Sequence, residues 1–282
     1  MALPRLAPQP LAVLLVLTAC ASSPRWEVVD AESKPSLLMD RVGGVRSLAW
    51  VPEERALMLS TERSGLLRWH SGSVPTRCAE VAPLALAAGP EGLVGADQVH
   101  ARIARFSASG ERGAVLAASF RGEGLAEALS LAIHASGALC IVDRSGQLLS
   151  LSPSGELRAV PLEHRVHCVE VHGERLVLAV EGEGLLLEGD LDATGVATGS
   201  VRPLCSLEAP VLALAGAAGG CLLAGSEGLL LLLDGAGSEL ARWRMPAAVV
   251  SVEVPPGERL AYVATEEQVY RLLLPDLARA GG

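Results

Sequence analysis

An all-β ring of six blades, a β-propeller, is the fold this sequence predicts, and three observations predict it. Short apolar strands alternate with turns through the whole body of the chain. The strands, the acidic turns and the glycines behind them recur about every 40 residues, and the apolar spacing of three and four that helices need is missing. Leucine-rich solenoids repeat faster, at about 20 to 29 residues, whereas about 40 residues is the length of a four-stranded blade. Such a blade cannot bury both of its faces alone, so neighbours must stack face to face around an axis.

The chain opens with Arg5 and the apolar stretch Leu11 to Leu17, the layout of a secretory signal and too short to span a bilayer. Behind it stands Leu17-Thr18-Ala19-Cys20. Together these residues resemble the lipobox of bacterial lipoproteins. The resemblance implies diacylglyceryl transfer to Cys20, cleavage before it and acylation of the new amino terminus. Residues 1–19 are then a signal peptide, 20–25 the anchor and a short tether, and 26–282 the propeller domain. Ala21, standing where an Asp would retain the protein, implies the outer membrane by the same resemblance. Apart from this lipid on Cys20, no cofactor is expected.

From Val45 onward six units follow. The first joins Ser47-Leu48-Ala49-Trp50 to the turn Glu62-Arg63-Ser64-Gly65 and to Leu66-Leu67-Arg68-Trp69. The third repeats it as Ser130-Leu131-Ala132-Ile133, Asp143-Arg144-Ser145-Gly146 and Leu148-Leu149-Ser150-Leu151. Further copies run from Cys168-Val169-Glu170-Val171 to Gly184, from Leu212-Ala213-Leu214 to Gly228 and from Val250-Ser251-Val252 to Gln268, and the weakest from Leu84 to Gln98. More polar segments at 77–81, 156–161, 200–206 and 239–244 read as outer edge strands. The sixth unit stops one strand short at Leu274-Pro275-Asp276. An amino-terminal strand, Trp26 to Val29 or Leu37 to Asp40, is therefore expected to complete it and close the ring, which removes an exposed edge. Seven blades is the alternative count. The strand-turn-glycine rhythm over roughly residues 26–276 is similar to WD40-like and six-bladed propeller families, although no unit carries the Gly-His and Trp-Asp dipeptides of true WD40 repeats.

Composition narrows the function. The chain of 282 residues carries a formal charge of −9 with no basic cluster, which disfavours nucleic acid as a partner. Half of the residues are apolar, and a chain of this length buries about 70 to 75% of its unfolded surface. Five cysteines remain after Cys20 (Cys78, Cys140, Cys168, Cys205 and Cys221), an odd number without regular spacing. Buried thiols, with room for one disulfide, are the expectation.

Equivalent turns of a propeller point to one face, so Glu62, Asp97, Asp143, Glu183, Glu227 and Glu267 predict a ring of carboxylates able to attract a cationic partner. The same residues are also what hairpin turns favour. His134, His172, His164 and His167 fall near the axis, but in two pairs toward opposite ends, which argues against zinc. There is no Gly-x-Ser-x-Gly, and the glycine stretch 216–220 lacks the Lys-Ser/Thr of a phosphate loop. No catalytic or metal-binding residue is assigned on these grounds. The expectation is a lipid-anchored envelope module that binds a protein or envelope partner. The alternative is a metal-dependent hydrolase similar to six-bladed lactonases, which the segment Asp143-Arg144-Ser145-Gly146-Gln147-Leu148 resembles. Those enzymes hold a divalent cation in the channel with carboxylates and asparagines, and this chain has no asparagine.

Overall fold

A computed structural model describes residues 34–276, apart from residue 126. The lipobox-like segment, Cys20 and the first closing-strand candidate at 26–29 lie outside these residues.

The first strand, β1 (Ser36–Met39), stands apart from the repeat. Blade 1 follows with β2 (Val45–Val51), β3 (Ala56–Thr61), β4 (Gly65–His70) and β5 (Thr76–Ala79). Blade 2 has β6 (Leu86–Gly89), β7 (Gly92–Asp97), β8 (Arg102–Phe106) and β9 (Arg112–Ala117), then a small added hairpin, β10 (Ser119–Phe120) with β11 (Glu123–Gly124). Blade 3 comprises β12 (Ala128–Ile133), β13 (Leu139–Asp143), β14 (Leu148–Leu151) and β15 (Leu157–Ala159). In blade 4 these are β16 (Val166–His172), β17 (Arg175–Val180), β18 (Leu185–Leu191) and β19 (Ala197–Ser206). Blade 5 has β20 (Ala213–Ala217), β21 (Cys221–Ser226), β22 (Leu229–Leu233) and β23 (Glu239–Arg244). Blade 6 contributes β24 (Ser251–Glu253), β25 (Leu260–Ala264) and β26 (Val269–Leu273).

Each of the first five blades is a four-stranded antiparallel sheet in sequence order, and the sixth runs β1-β26-β25-β24. The amino-terminal strand thus supplies the missing edge, with Ser36 opposite Arg271 and Leu37 opposite Tyr270. Of the two candidates, the one at 37–40 is the closing strand. The count of six blades holds.

Inner strands follow one another around the axis and close where β24 meets β2. The apolar interior is six cores, each shared by two neighbouring blades, as stacking requires. Leu57, Leu59 and Trp69 of blade 1 meet Tyr262 and Val269 of blade 6, for example, and Ile141 and Leu149 of blade 3 meet Ile103 of blade 2. Trp50 stacks on Tyr262 at 5.8 Å and Trp69 meets the same ring edge-on, so both tryptophans fill the seam where the ring closes. The turns fix the strand ends. Gly65 has φ of +78°, and a Cβ there would strike the carbonyl oxygen of Ala79. Glycine is the residue that tolerates both conditions.

Candidate functional site

The central channel is a cavity of about 430 Å³ lined by residues from the inner strands and strand entries of all six blades. An inner strand has one edge paired within its own blade and the other turned to the axis, where its amide groups lack a ladder. Side chains from the preceding blade serve several of them. Ser47 Oγ accepts the Leu86 N–H at 3.1 Å, Ser130 Oγ accepts the Val169 N–H at 3.1 Å, and Ser251 Oγ accepts the Leu48 N–H at 3.0 Å. The same position in blades 1, 3 and 6 ties each to the next blade.

Two carboxylates do this work one layer deeper. Glu170 of β16 accepts the Gly216 N–H at 2.9 Å, and Glu253 of β24 accepts the Trp50 N–H. Both line the channel. What remains exposed of each faces the bore, so its charged form is poorly hydrated. Burial raises Glu170 from 4.5 to about 7. Burial, and then the neighbouring charge of Glu170, raises Glu253 from 4.5 to about 8. Two interacting carboxyl groups in such a setting titrate as a pair, and each keeps its proton to a higher pH than a free carboxyl group does.

Toward the mouth, on the face of the acidic turns, stand Arg46 and His167. Arg46 donates to Gln98 Oε1 at 3.1 Å and lies 3.8 Å from Glu62. Burial pushes His167 down toward its neutral form. Cys168 also lines the channel, but burial pushes its thiol up, which keeps it protonated and a poor nucleophile. Cys78, Cys140, Cys168, Cys205 and Cys221 are all free thiols.

The six acidic-turn residues all sit where the second strand of a blade turns into the third. Their side chains do different things there. Asp97, only 2% exposed, faces His100 at 2.9 Å, Arg112 at 3.1 Å and Arg102 at 3.5 Å. Asp143 closes its own turn by accepting from Ser145 Oγ at 2.6 Å and the Gln147 N–H at 2.9 Å. Glu62 pairs with Arg46 and Glu267 with Arg63, whereas Glu183 and Glu227 are exposed.

On the opposite face, His134 Nδ1 accepts the Ser136 N–H at 3.1 Å, which places the ring hydrogen of the neutral form on Nε2, 3.6 Å from Glu174 Oε2. With its Nδ1 lone pair occupied and Nε2 protonated, His134 is not set to bind a metal. Among the described residues no group of three or more His, Cys, Asp or Glu is arranged to hold one. The channel donors do not fit the divalent cation of six-bladed lactonases either. Of the channel's lining residues only Glu170 and Glu253 are carboxylates, both already bonded to backbone N–H groups, and the chain has no asparagine.

Sequence reasoning missed the Glu170–Glu253 pair. The signal was a shared tripeptide, Val169-Glu170-Val171 and Val252-Glu253-Val254, which sets a charged residue between two valines on the inner strand of two units.

No protein-family model matches the chain, and no curated protein matches it. Solved structures do. One is a protein whose assignment as a gluconolactonase is itself provisional, 18% identical, with a TM-score of 0.76 over 88% of this chain and 96% of that one. Another, from Xanthomonas campestris, is described as a gluconolactonase important in glucose secondary metabolic pathways, at 15% identity and a TM-score of 0.73 over 92% and 99% of the two chains. This overturns the reading of the domain as an interaction scaffold with no reaction of its own. The propellers it matches along nearly their whole length are described as enzymes, and the isolated ionisable pair stands in the bore and not on the rim. At these identities the likeness establishes the fold, a six-bladed propeller with an open central channel.

Proposed function

We propose that the channel is a hydrolytic site that opens a small lactone or related ester, with Glu170 and Glu253 as its proton-transferring pair. One observation carries this reading: two carboxyl groups line the bore, and burial, with the charge of one on the other, raises both above the usual carboxylate range. The ionised member accepts a proton from a water as that water's oxygen bonds to the acyl carbon. The protonated member then donates to the departing ring oxygen as the acyl–oxygen bond breaks. Lactone and water give a hydroxy acid, and the proton has passed from one carboxyl group to the other. A cavity of about 430 Å³ lies in the range that small-molecule sites occupy. The likeness to proteins described as gluconolactonases favours a lactone over other esters.

The test is a titrimetric assay of the purified protein against five- and six-membered lactones and simple esters. We expect ring opening that falls by about 10²-fold or more in Glu170→Gln and in Glu253→Gln, the usual scale of a lost acid or base. No turnover on the panel, or turnover unchanged in both variants, refutes the reading.

We also propose that the enzyme works from the outer membrane through lipid on Cys20. The lipobox-like segment supports this, and more than one acyl chain makes such anchoring stable. Labelling cells with a fatty-acid analogue should mark the protein and leave Cys20→Ala unmarked; label retained by the variant refutes the anchor.

A further inference from the structure

We infer that the side chains of this channel, Glu170 and Glu253 among them, do not fit the divalent cation that six-bladed lactonases hold, so that its chemistry runs without a metal. The statement about chemistry rests on the hydrolase reading; the statement about fit does not.

A divalent cation needs several donors converging on one point: about four for zinc, six for magnesium and six to eight for calcium. The side chains of the bore do not supply them. Ser47, Ser130 and Ser251 each hold an N–H of the next blade, and Ser47 and Ser130 also reach the carbonyl oxygen of the residue they serve, Leu86 and Val169. Glu170 is bonded to Gly216 and Glu253 to Trp50, which holds them on different blades, 4 and 6. Between them blade 5 lines the channel with Leu212, Ala213 and Leu214.

The charge balance points the same way. Arg46 is at the mouth and engaged by Gln98 and Glu62, so it does not neutralise the pair. His167 lies nearer that mouth and is held toward neutrality. Beyond the pair, Arg175 is tied to Glu188 at 2.7 Å and to the carbonyl oxygens of Gly220 and Gly235, and burial and Arg175 push His172 toward neutrality. The Cys168 thiol is neutral. With no cation among the described residues placed to offset a second negative charge, a proton offsets it.

Two measurements on the purified full-length protein test this. Calorimetric titration with Ca²⁺, Mg²⁺, Mn²⁺ and Zn²⁺ should show no binding that depends on Glu170 or Glu253; binding equal in the wild type and in Glu170→Gln and Glu253→Gln belongs elsewhere on the molecule and agrees with the inference. Infrared difference spectra at neutral pH should show one carboxylic acid C=O band that either substitution removes. One-to-one cation binding abolished by either variant, or no such band, overturns it. Circular dichroism confirms that the variants are folded. Lack of lactone turnover with both measurements as expected refutes the hydrolase reading and leaves the metal-free channel standing.

Discussion

Glu170 and Glu253 bind a proton more tightly in the folded chain than in the unfolded one, and this makes stability depend on pH. Their values rise from 4.5 to about 7 and about 8, chiefly through burial. A raised acid contributes stability that is fully present below its unfolded value and is lost as pH rises through its folded value. The domain should therefore lose melting temperature between about pH 5 and pH 8. Glu253→Gln, neutral throughout, should flatten that decline and melt above the wild type on the alkaline side. Scanning calorimetry across this range checks it, and a variant with the wild-type slope refutes it. His167 and His172, pushed down from 6.5, work in the opposite sense, so variant and wild type are compared at each pH. These two glutamates were hard to find in the sequence because surface turns also abound in Asp and Glu. What separates them is the strand around them, apolar on both sides, which only the channel explains.

Among the elements, β1 has the largest effect for its size. Four residues complete blade 6, and Met39 packs with Leu57, Leu59 and Trp69 in the core that joins the last blade to the first. Deleting residues 36–40 should expose the edge of β26 and open that seam, lowering the melting temperature of the whole domain in one transition. An unchanged melt refutes the role assigned to β1. Within the seam, Leu59→Ala should cost about 2–5 kcal/mol by denaturant unfolding, since Leu59 is fully buried; a loss well under 1 kcal/mol would show that this core does not hold the ring. The elements were largely legible in the sequence. The outer segment at 239–244 coincides with β23, and the missing strand of the sixth unit pointed to a closing partner upstream. Less legible was blade 2, whose inner strand Leu86–Gly89 is mostly Ala and Gly and gives little apolar alternation to read.

For the whole molecule, period and strand pattern decided the fold, because six units that each leave two faces uncovered have few ways to cover them all. Function was less legible, since residues of a propeller channel come from strands about 40 residues apart in sequence and meet only after closure. The acidic turns, conspicuous in sequence, prove to serve several ends, from the ion pairs of Asp97 to the turn closure of Asp143. The pairing of Ser36 with Arg271 spans 235 residues and has a kinetic consequence. β1 is made well before β26, so the clasp stays without its partner until the intervening blades have been translated. Contacts this distant form late and slowly. Until they form, the nascent protein exposes two unpaired strand edges. Closure of the ring is therefore also the step that removes both edges.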